Sequence, residues 1–193
     1  MSSALRARAE RVESYLRGKC FRAPVEGAPL RFGAELELLA LDAATHRVAP
    51  IRADDGRGTQ DVAREVAARC GWSEHRSDKG ASRFIAPGGG ALTFEPGGQL
   101  EYASAVHSTI DGVLGELAVV QRLLEEHAAE RGIVLLAVGV DPENGPVDAP
   151  LQLHAERYRR MAAYLDAIGP HGARMMRQTA SLQLCLGGVD PVA

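Results

Sequence analysis

The chain has 193 residues, 46% hydrophobic and 24% charged, with a formal charge of −3. That composition is globular, and a chain of this length buries roughly 70% of its unfolded surface, enough for a single domain over residues 1–193. A weak negative charge without a basic stripe excludes an electrostatic nucleic-acid binder, and no window approaches the ~20 apolar residues of a membrane span.

Residues 2–17 read as a helix in which Leu5, Ala9, Val12 and Leu16 recur at helical spacing, capped by Ser2 or Ser3. Its basic residues Arg6, Arg8, Arg11, Arg17 and Lys19 alternate with Glu10 and Glu13, as on a solvated face. Glycine and proline break the chain over 18–29. Residues 31–42 alternate as a strand: Phe32, Ala34, Leu36, Leu38 and Ala40 share one face, Gly33, Glu35, Glu37, Leu39 and Leu41 the other. A loop over 54–58 leads to a helix from Thr59, its expected cap, to Cys70, with Gly71 as the stop.

Residues 81–98 read as a hairpin, two strands joined by a Pro-Gly-rich turn. Ser108 is the expected cap of a long helix, with Asp111 at the fourth position. Ile110, Val113, Leu114, Leu117, Leu124 and Ala128 form its apolar stripe, and Gly132 ends it. The apolar run 133–140 reads as a buried strand, 142–150 as a loop, and 154–168 as a helix stopped by Gly169-Pro170. Residues 180–188 alternate again. A hairpin joins two strands directly, so the sheet is expected to be antiparallel or mixed and the class α+β. Cys20, Cys70 and Cys185 form no C-x-x-C pair. With no apolar leader-like stretch at the amino terminus, they suggest a soluble cytoplasmic protein.

Glu35 and Glu37, at i and i+2 of a strand, leave the same face about 6.5–7 Å apart along the backbone. Such a pair is either solvated or held by a cation between the carboxylates. A second group sits around a break in "TFEPGGQLEYAS": Glu95 before Pro96-Gly97-Gly98, Gln99 and Glu101 after it. Gln183 adds an amide on a third polar-faced strand. These faces carry almost no Lys or Arg, whereas solvated strands mix both signs, which favours a cavity holding Mg²⁺ or Mn²⁺ over an open wet face. Such a cavity suits a triphosphate. No Walker loop occurs, and the Gly-rich stretch before Thr93 precedes a strand, which fails the Rossmann test. Arg157 and Tyr158 lie on the 154–168 helix, where the arginine pairs with a substrate carboxylate or makes a surface ion pair; Tyr158 and Met161 read as core. The histidines are scattered, without His-Glu-x-x-His or Gly-x-Ser-x-Gly.

Taken in order, "FGAELELLALD", "LTFEPGGQLEYAS", "GVDPENG", "ERYRRMAAYL" and "GARMMRQTASLQLCL" resemble the plant- and bacterial-type glutamate–cysteine ligases, nearest the branch serving ergothioneine or glutathione synthesis. The resemblance spans about Arg31 to Gly187; its E-P-G-G-Q-x-E and M-M-x-x-T-A-x-x-Q segments are the specific ones. It implies a glutamine-synthetase-like catalytic domain. ATP phosphorylates the γ-carboxylate of glutamate, and cysteine's amino group displaces the phosphate to give γ-glutamylcysteine. By position, Glu35, Glu37, Glu95, Glu101 and Gln183 match metal-side residues, and Gln99, Arg157, Tyr158 and Thr179 match substrate-binding segments. Two departures stand out. An acidic position after the Met-Met segment is replaced by "LCLGG", and family members are much longer. The sheet is thus expected to be incomplete at its carboxy-terminal side, calling for a separate C-terminal half or a homo-oligomer. Two rival readings are a ligase with another amine acceptor, and an inactive or split fragment acting as a binding module.

Overall fold

The computed structural model of the chain describes residues 3–19, 29–76 and 80–187. Ser2, Cys20 and most of the break over 18–29 lie outside them. The described elements are α1 (Ser3–Lys19), β1 (Arg31–Asp42), α2 (Thr59–Cys70), β2 (Ser73–His75), β3 (Arg83–Ile85), β4 (Ala91–Phe94), β5 (Leu100–Ala103), α3 (Ile110–Ala129), β6 (Ile133–Leu136), α4 (Glu156–Ala167), α5 (Pro170–Arg177) and β7 (Leu182–Gly187). The class is α+β. The seven strands form one open antiparallel sheet in the order β2-β3-β4-β5-β1-β6, with β7 also beside β1. At twelve residues β1 is long enough to serve three neighbours. β5 pairs along one edge, while β7 takes Arg31–Leu36 and β6 takes Leu39–Asp42 of the other.

Strand alternation divides the molecule. Ala34, Leu36, Leu38 and Ala40 turn toward α2 and α3 and pack on Val62, Val66, Val113, Leu117 and Leu124. Buried Tyr102 of β5 stacks on Trp72 and donates to Glu116 of α3 (2.6 Å), which ties the helix layer to the sheet. The opposite face carries Glu35 and Glu37 and is roofed by α4 and α5, whose Ala162, Leu165 and Met176 form a second, smaller apolar cluster.

Several local expectations are corrected. Thr59 is the first helical residue of α2, not its cap; Gly58 is. The N–H groups of Thr59 and Gln60 donate to the carbonyls of Pro50 and Ile51 (both 2.9 Å), so the helix start needs no side-chain cap. Thr109, not Ser108, caps α3, accepting from Gly112 N–H at 3.1 Å. Ile110 and Leu114 are exposed, and Val120 and Leu123 take their places in the core. β6 is an edge strand with Val134 exposed, not a buried one. Gly169, at φ +120°, stops α4 as expected, but Pro170 then opens α5, where a missing N–H at the first helical position costs nothing. β2 was also not expected from the sequence. In α1, Leu5 and Val12 are exposed. Leu182, Leu184 and Leu186 of β7 are exposed as well. Among the described residues no helix is long and apolar enough to cross a membrane.

Candidate active site

The Pro-Gly-Gly break is a three-residue hairpin loop between β4 and β5. Gly98 N–H donates to Glu95 O, and Glu95 N–H donates to Gln99 O, both at 2.9 Å. Gly98 takes φ +98°, which lets the strands resume pairing directly opposite one another. The loop is fully buried. A Cβ on Gly97 would come within 2.7 Å of the backbone of Arg177 at the end of α5, so only glycine lets the two chains lie this close. Gln152 clamps the other side. Its backbone N–H donates to Pro96 O (2.7 Å) and its amide to Gly97 O (3.0 Å) and Ala49 O (3.1 Å), while its Oε1 accepts from Ile51 N–H (2.6 Å).

Register then lines up the polar residues. Glu37 pairs with Glu101, and Glu101 with Thr93; Glu35 pairs with Gln183 on the other edge. Arg83 precedes Phe84, the partner of Leu92, so it stands abreast of Thr93. One transverse row of side chains on one face thus reads Arg83, Thr93, Glu101, Glu37, with Glu95 two residues past Thr93, just beyond the end of β4. The expectation of faces almost free of Lys and Arg is corrected here: Arg83 shares the face.

Glu37 accepts from Ser181 N–H (2.9 Å) and from the Gln183 amide (3.4 Å), and Glu101 accepts from Thr93 Oγ1 (2.9 Å). Among the described residues Glu95 has no comparable donor. Burial, then the charges of Glu101 and Glu37, push its carboxyl up to about 7, against the weaker pull of Arg157. Carboxylates this close in a half-dry setting either share a proton or share a cation. The donor set is all oxygen, which suits Mg²⁺ or Mn²⁺.

Gln99 is buried. Its Nε2 donates to Thr179 O (2.8 Å), and its Oε1 has no donor among the described residues. The Thr179 hydroxyl is itself engaged, donating to Met175 O at 2.6 Å. α4 crosses the acidic face with one stripe: Arg157 and Tyr158 at its start, then Met161, then Leu165. Under the far end is a cavity of about 260 Å³ lined by Glu37, Glu95, Gln99, Met161, Met175 and Thr179, among others. Under the near end a cavity of about 350 Å³ is lined by Arg83, Thr93, Phe94, His154, Arg157 and Tyr158, among others. The Arg157 guanidinium lies over the Tyr158 ring and donates to its hydroxyl. Met161, expected in the core, is exposed and walls the far cavity; Tyr158, also expected there, is half-buried and packs on both apolar clusters while it lines the near cavity.

The pattern described as glutamate-cysteine ligase family 2 (GCS2) matches residues 31–190, most of the chain. The chain belongs to this family. It is 32% identical over 102 residues to the glutamate–cysteine ligase EgtA of Mycobacterium tuberculosis, covering 52% of this chain and 23% of that protein. It is 28% identical over 156 residues to the chloroplastic glutamate–cysteine ligase A of Oryza sativa subsp. japonica (81% and 30%), and 28% over 157 residues to the chloroplastic enzyme of Solanum lycopersicum (81% and 28%). The chain therefore spans about a quarter to a third of the length of these glutamate–cysteine ligases.

Within this family member the fold brings Glu37, Glu95, Glu101, Gln99 and Thr179 together, with Glu35 two residues along β1 from Glu37 and Gln183 paired with it on the same face. Sequence reasoning missed Gln152, Arg83 and the methionine wall. Counting back from the Pro87-Gly88-Gly89 turn would have found Arg83. Gln152 lies in a loop and carries no periodic signal. A tighter set of ligand atoms lies elsewhere among the described residues: Glu65, His127 and Glu130, all within 4.8 Å of one another. Arg131 pairs with Glu65 at 2.8 Å, so this group has its own cation and reads as an ion-pair network between α2 and α3.

Proposed function

We propose that this chain carries the metal-side and amino-acid-side face of a glutamate–cysteine ligase, within a glutamine-synthetase-like catalytic domain of which residues 1–193 form one unit. Glu35, Glu37, Glu95, Glu101 and Gln183 would hold Mg²⁺ or Mn²⁺, which neutralises phosphate charge and polarises the transferred phosphoryl group. Gln99, Thr179, Arg157 and Tyr158 orient the amino acids. The γ-carboxylate of glutamate attacks the terminal phosphorus of ATP and ADP leaves. The amine of cysteine then attacks the acyl carbon, phosphate leaves with the carbon–oxygen bond electrons, and the nitrogen loses a proton. The product is γ-glutamylcysteine, a precursor for glutathione or ergothioneine synthesis, and the cytoplasm is the setting in this reading.

One observation carries the proposal: three carboxylates from three adjacent strands meet on a half-buried face, where burial and then the charges of Glu101 and Glu37 push the Glu95 carboxyl up to about 7. α4 covers part of that face, and this partial shielding strengthens the charge interactions beneath it. Further segments of the family, or a second copy, are the partners this reading calls for.

The test is ADP release with ATP, Mg²⁺ and glutamate, with and without cysteine, by the chain alone and joined by the segments through which its relatives extend. Cysteine-dependent release that disappears in Glu35→Ala and Glu95→Ala is expected. Release that survives Glu95→Ala, or an equal response to every amine offered, would sink it.

A further inference from the structure

The two ends of the sheet are finished differently. At one end β2 is three residues long and carries Glu74 and His75, with Arg76 next in the chain. Short and charged is the form in which an exposed edge resists pairing. At the other end β7 runs six residues, Leu182–Gly187, without a charge or a proline. Among the described residues it pairs only with β1. Leu182, Leu184 and Leu186 stand opposite Leu36, Ala34 and Phe32, on the helix side of the sheet, yet each is more than half exposed. The free edge also has a fixed hydrogen-bonding pattern. Glu37 N–H donates to Ser181 O (2.9 Å), so the odd-numbered residues of β7 turn their N–H and C=O toward β1. The three leucines turn theirs outward, where no strand of the described residues meets them.

We propose that β7 pairs antiparallel with β7 of a second copy of this chain, about a two-fold axis at Leu184, and so joins two sheets into one. Directly opposite residues of an antiparallel pair share a face, so leucine must meet leucine. With Leu184 opposite its own copy, Leu182 faces Leu186, and every outward N–H and C=O of both strands finds a partner. Centring the pair on Cys185 instead leaves Leu182 opposite no residue of β7. The occupant is a second copy because the strand is its own complement: no charge meets a like charge, and the leucines of each copy close over those of the other. The inference goes beyond the ligase reading and does not rest on its chemistry. In the joined sheet the two acidic faces lie on the same side, and Gln183, which donates to Glu37, stands opposite Cys185 of the second copy.

The experiment is sedimentation velocity on the full chain with reductant, over roughly 1–100 µM, the range in which a small interface dimerises. A reversible monomer–dimer equilibrium is expected. Leu184→Lys sets two ammonium groups against each other at the axis and should raise the dissociation constant about tenfold or more. Leu184 is exposed, so the variant should fold, and an unchanged far-ultraviolet circular dichroism spectrum verifies it. Mild oxidation reads the register separately. Leu184→Cys in a Cys185→Ser background should give a disulfide-linked dimer, since a hydrogen-bonded pair holds its Cα atoms about 5.5 Å apart. The wild type should not link through Cys185, whose Cα would stand about 8 Å from its copy, beyond disulfide reach. A chain that stays monomeric over that range overturns the proposal and leaves the edge to the segments through which its relatives extend. A dimer that Leu184→Lys leaves as tight overturns it too. So does growth beyond the dimer, which a closed two-fold pair forbids, and so does a link through Cys185 with none at position 184.

Discussion

The sheet contains the same turn twice. Ala86-Pro87-Gly88-Gly89-Gly90 joins β3 to β4, and Glu95-Pro96-Gly97-Gly98-Gln99 joins β4 to β5. The two share their backbone hydrogen bonds, and the last loop glycine takes φ +97° in one and +98° in the other. Their surroundings differ. Pro87, Gly88 and Gly89 are exposed; Pro96, Gly97 and Gly98 are buried between Gln152 and the end of α5. The residues after the loops differ to match. Gly90 leaves room for the Tyr102–Glu116 hydrogen bond, whereas Gln99 fills its space and reaches Thr179. One turn connects two strands. The other also fixes the distance between the acidic face and its roof.

Substitutions should separate the two. Gly97→Ala has the largest expected effect, about 3 kcal/mol or more in urea unfolding, because neither the loop nor the Arg177 backbone can yield. Gly88→Ala, whose Cβ would meet only the Ala105 methyl at 3.8 Å, is its control at the other end of the scale. Next come Gly98→Ala and Gly89→Ala. Both force an L-residue to positive φ, costing roughly 1–2 kcal/mol. Gly98→Ala should cost clearly more, since its Cβ would come within 2.8 Å of the Gln152 amide carbon, while Gly89 has open space. Equal losses would show that the buried turn is not clamped.

Only the buried turn begins with a titrating residue. The folded carboxyl of Glu95 is pushed up to about 7 against an ordinary 4.5, so between these pH values the folded chain binds more protons than the unfolded one. Stability therefore falls as pH rises through that window; solvent reaches this half-exposed carboxyl, which cuts the full linkage value to on the order of 1–2 kcal/mol. Glu95→Gln should flatten the slope, and saturating Mg²⁺ should flatten it in the wild type, both read by thermal melts at pH 4.5 to 8. A slope that Glu95→Gln leaves intact would place the titrating group elsewhere. The smallest effect is that of Gly88→Ala, within about 0.5 kcal/mol.

Much of this was legible in the chain. Alternation in "RFGAELELLALD" fixed both the strand and the side of it that carries Glu35 and Glu37, because side-chain direction in a strand depends only on parity. The Pro-Gly-Gly signal located the second hairpin for a similarly local reason, glycine's access to positive φ. Helix starts were read one residue out at both Thr59 and Ser108. A cap is chosen by whichever acceptor or carbonyl reaches the first N–H groups, and at α2 that is Pro50 and Ile51, far back in the chain. Ile110 and Leu114 fit the helical period as well as Val120 and Leu123 do; which of them is buried depends on where β1 and α2 lie.

By itself the sequence determined parity, turns and the residue types of the acidic face, since these follow from backbone stereochemistry within a few residues. Tertiary structure alone decided that Gly97 must touch Arg177, that Gln152 holds the turn, that α4 roofs the carboxylates, and that Arg83 shares their face. Those facts depend on strand register and on contacts between segments a hundred or more residues apart, such as Ile51 with Gln152 and Glu37 with Ser181. No local pattern encodes such contacts, because their free energy appears only once the chain has closed the loops between them.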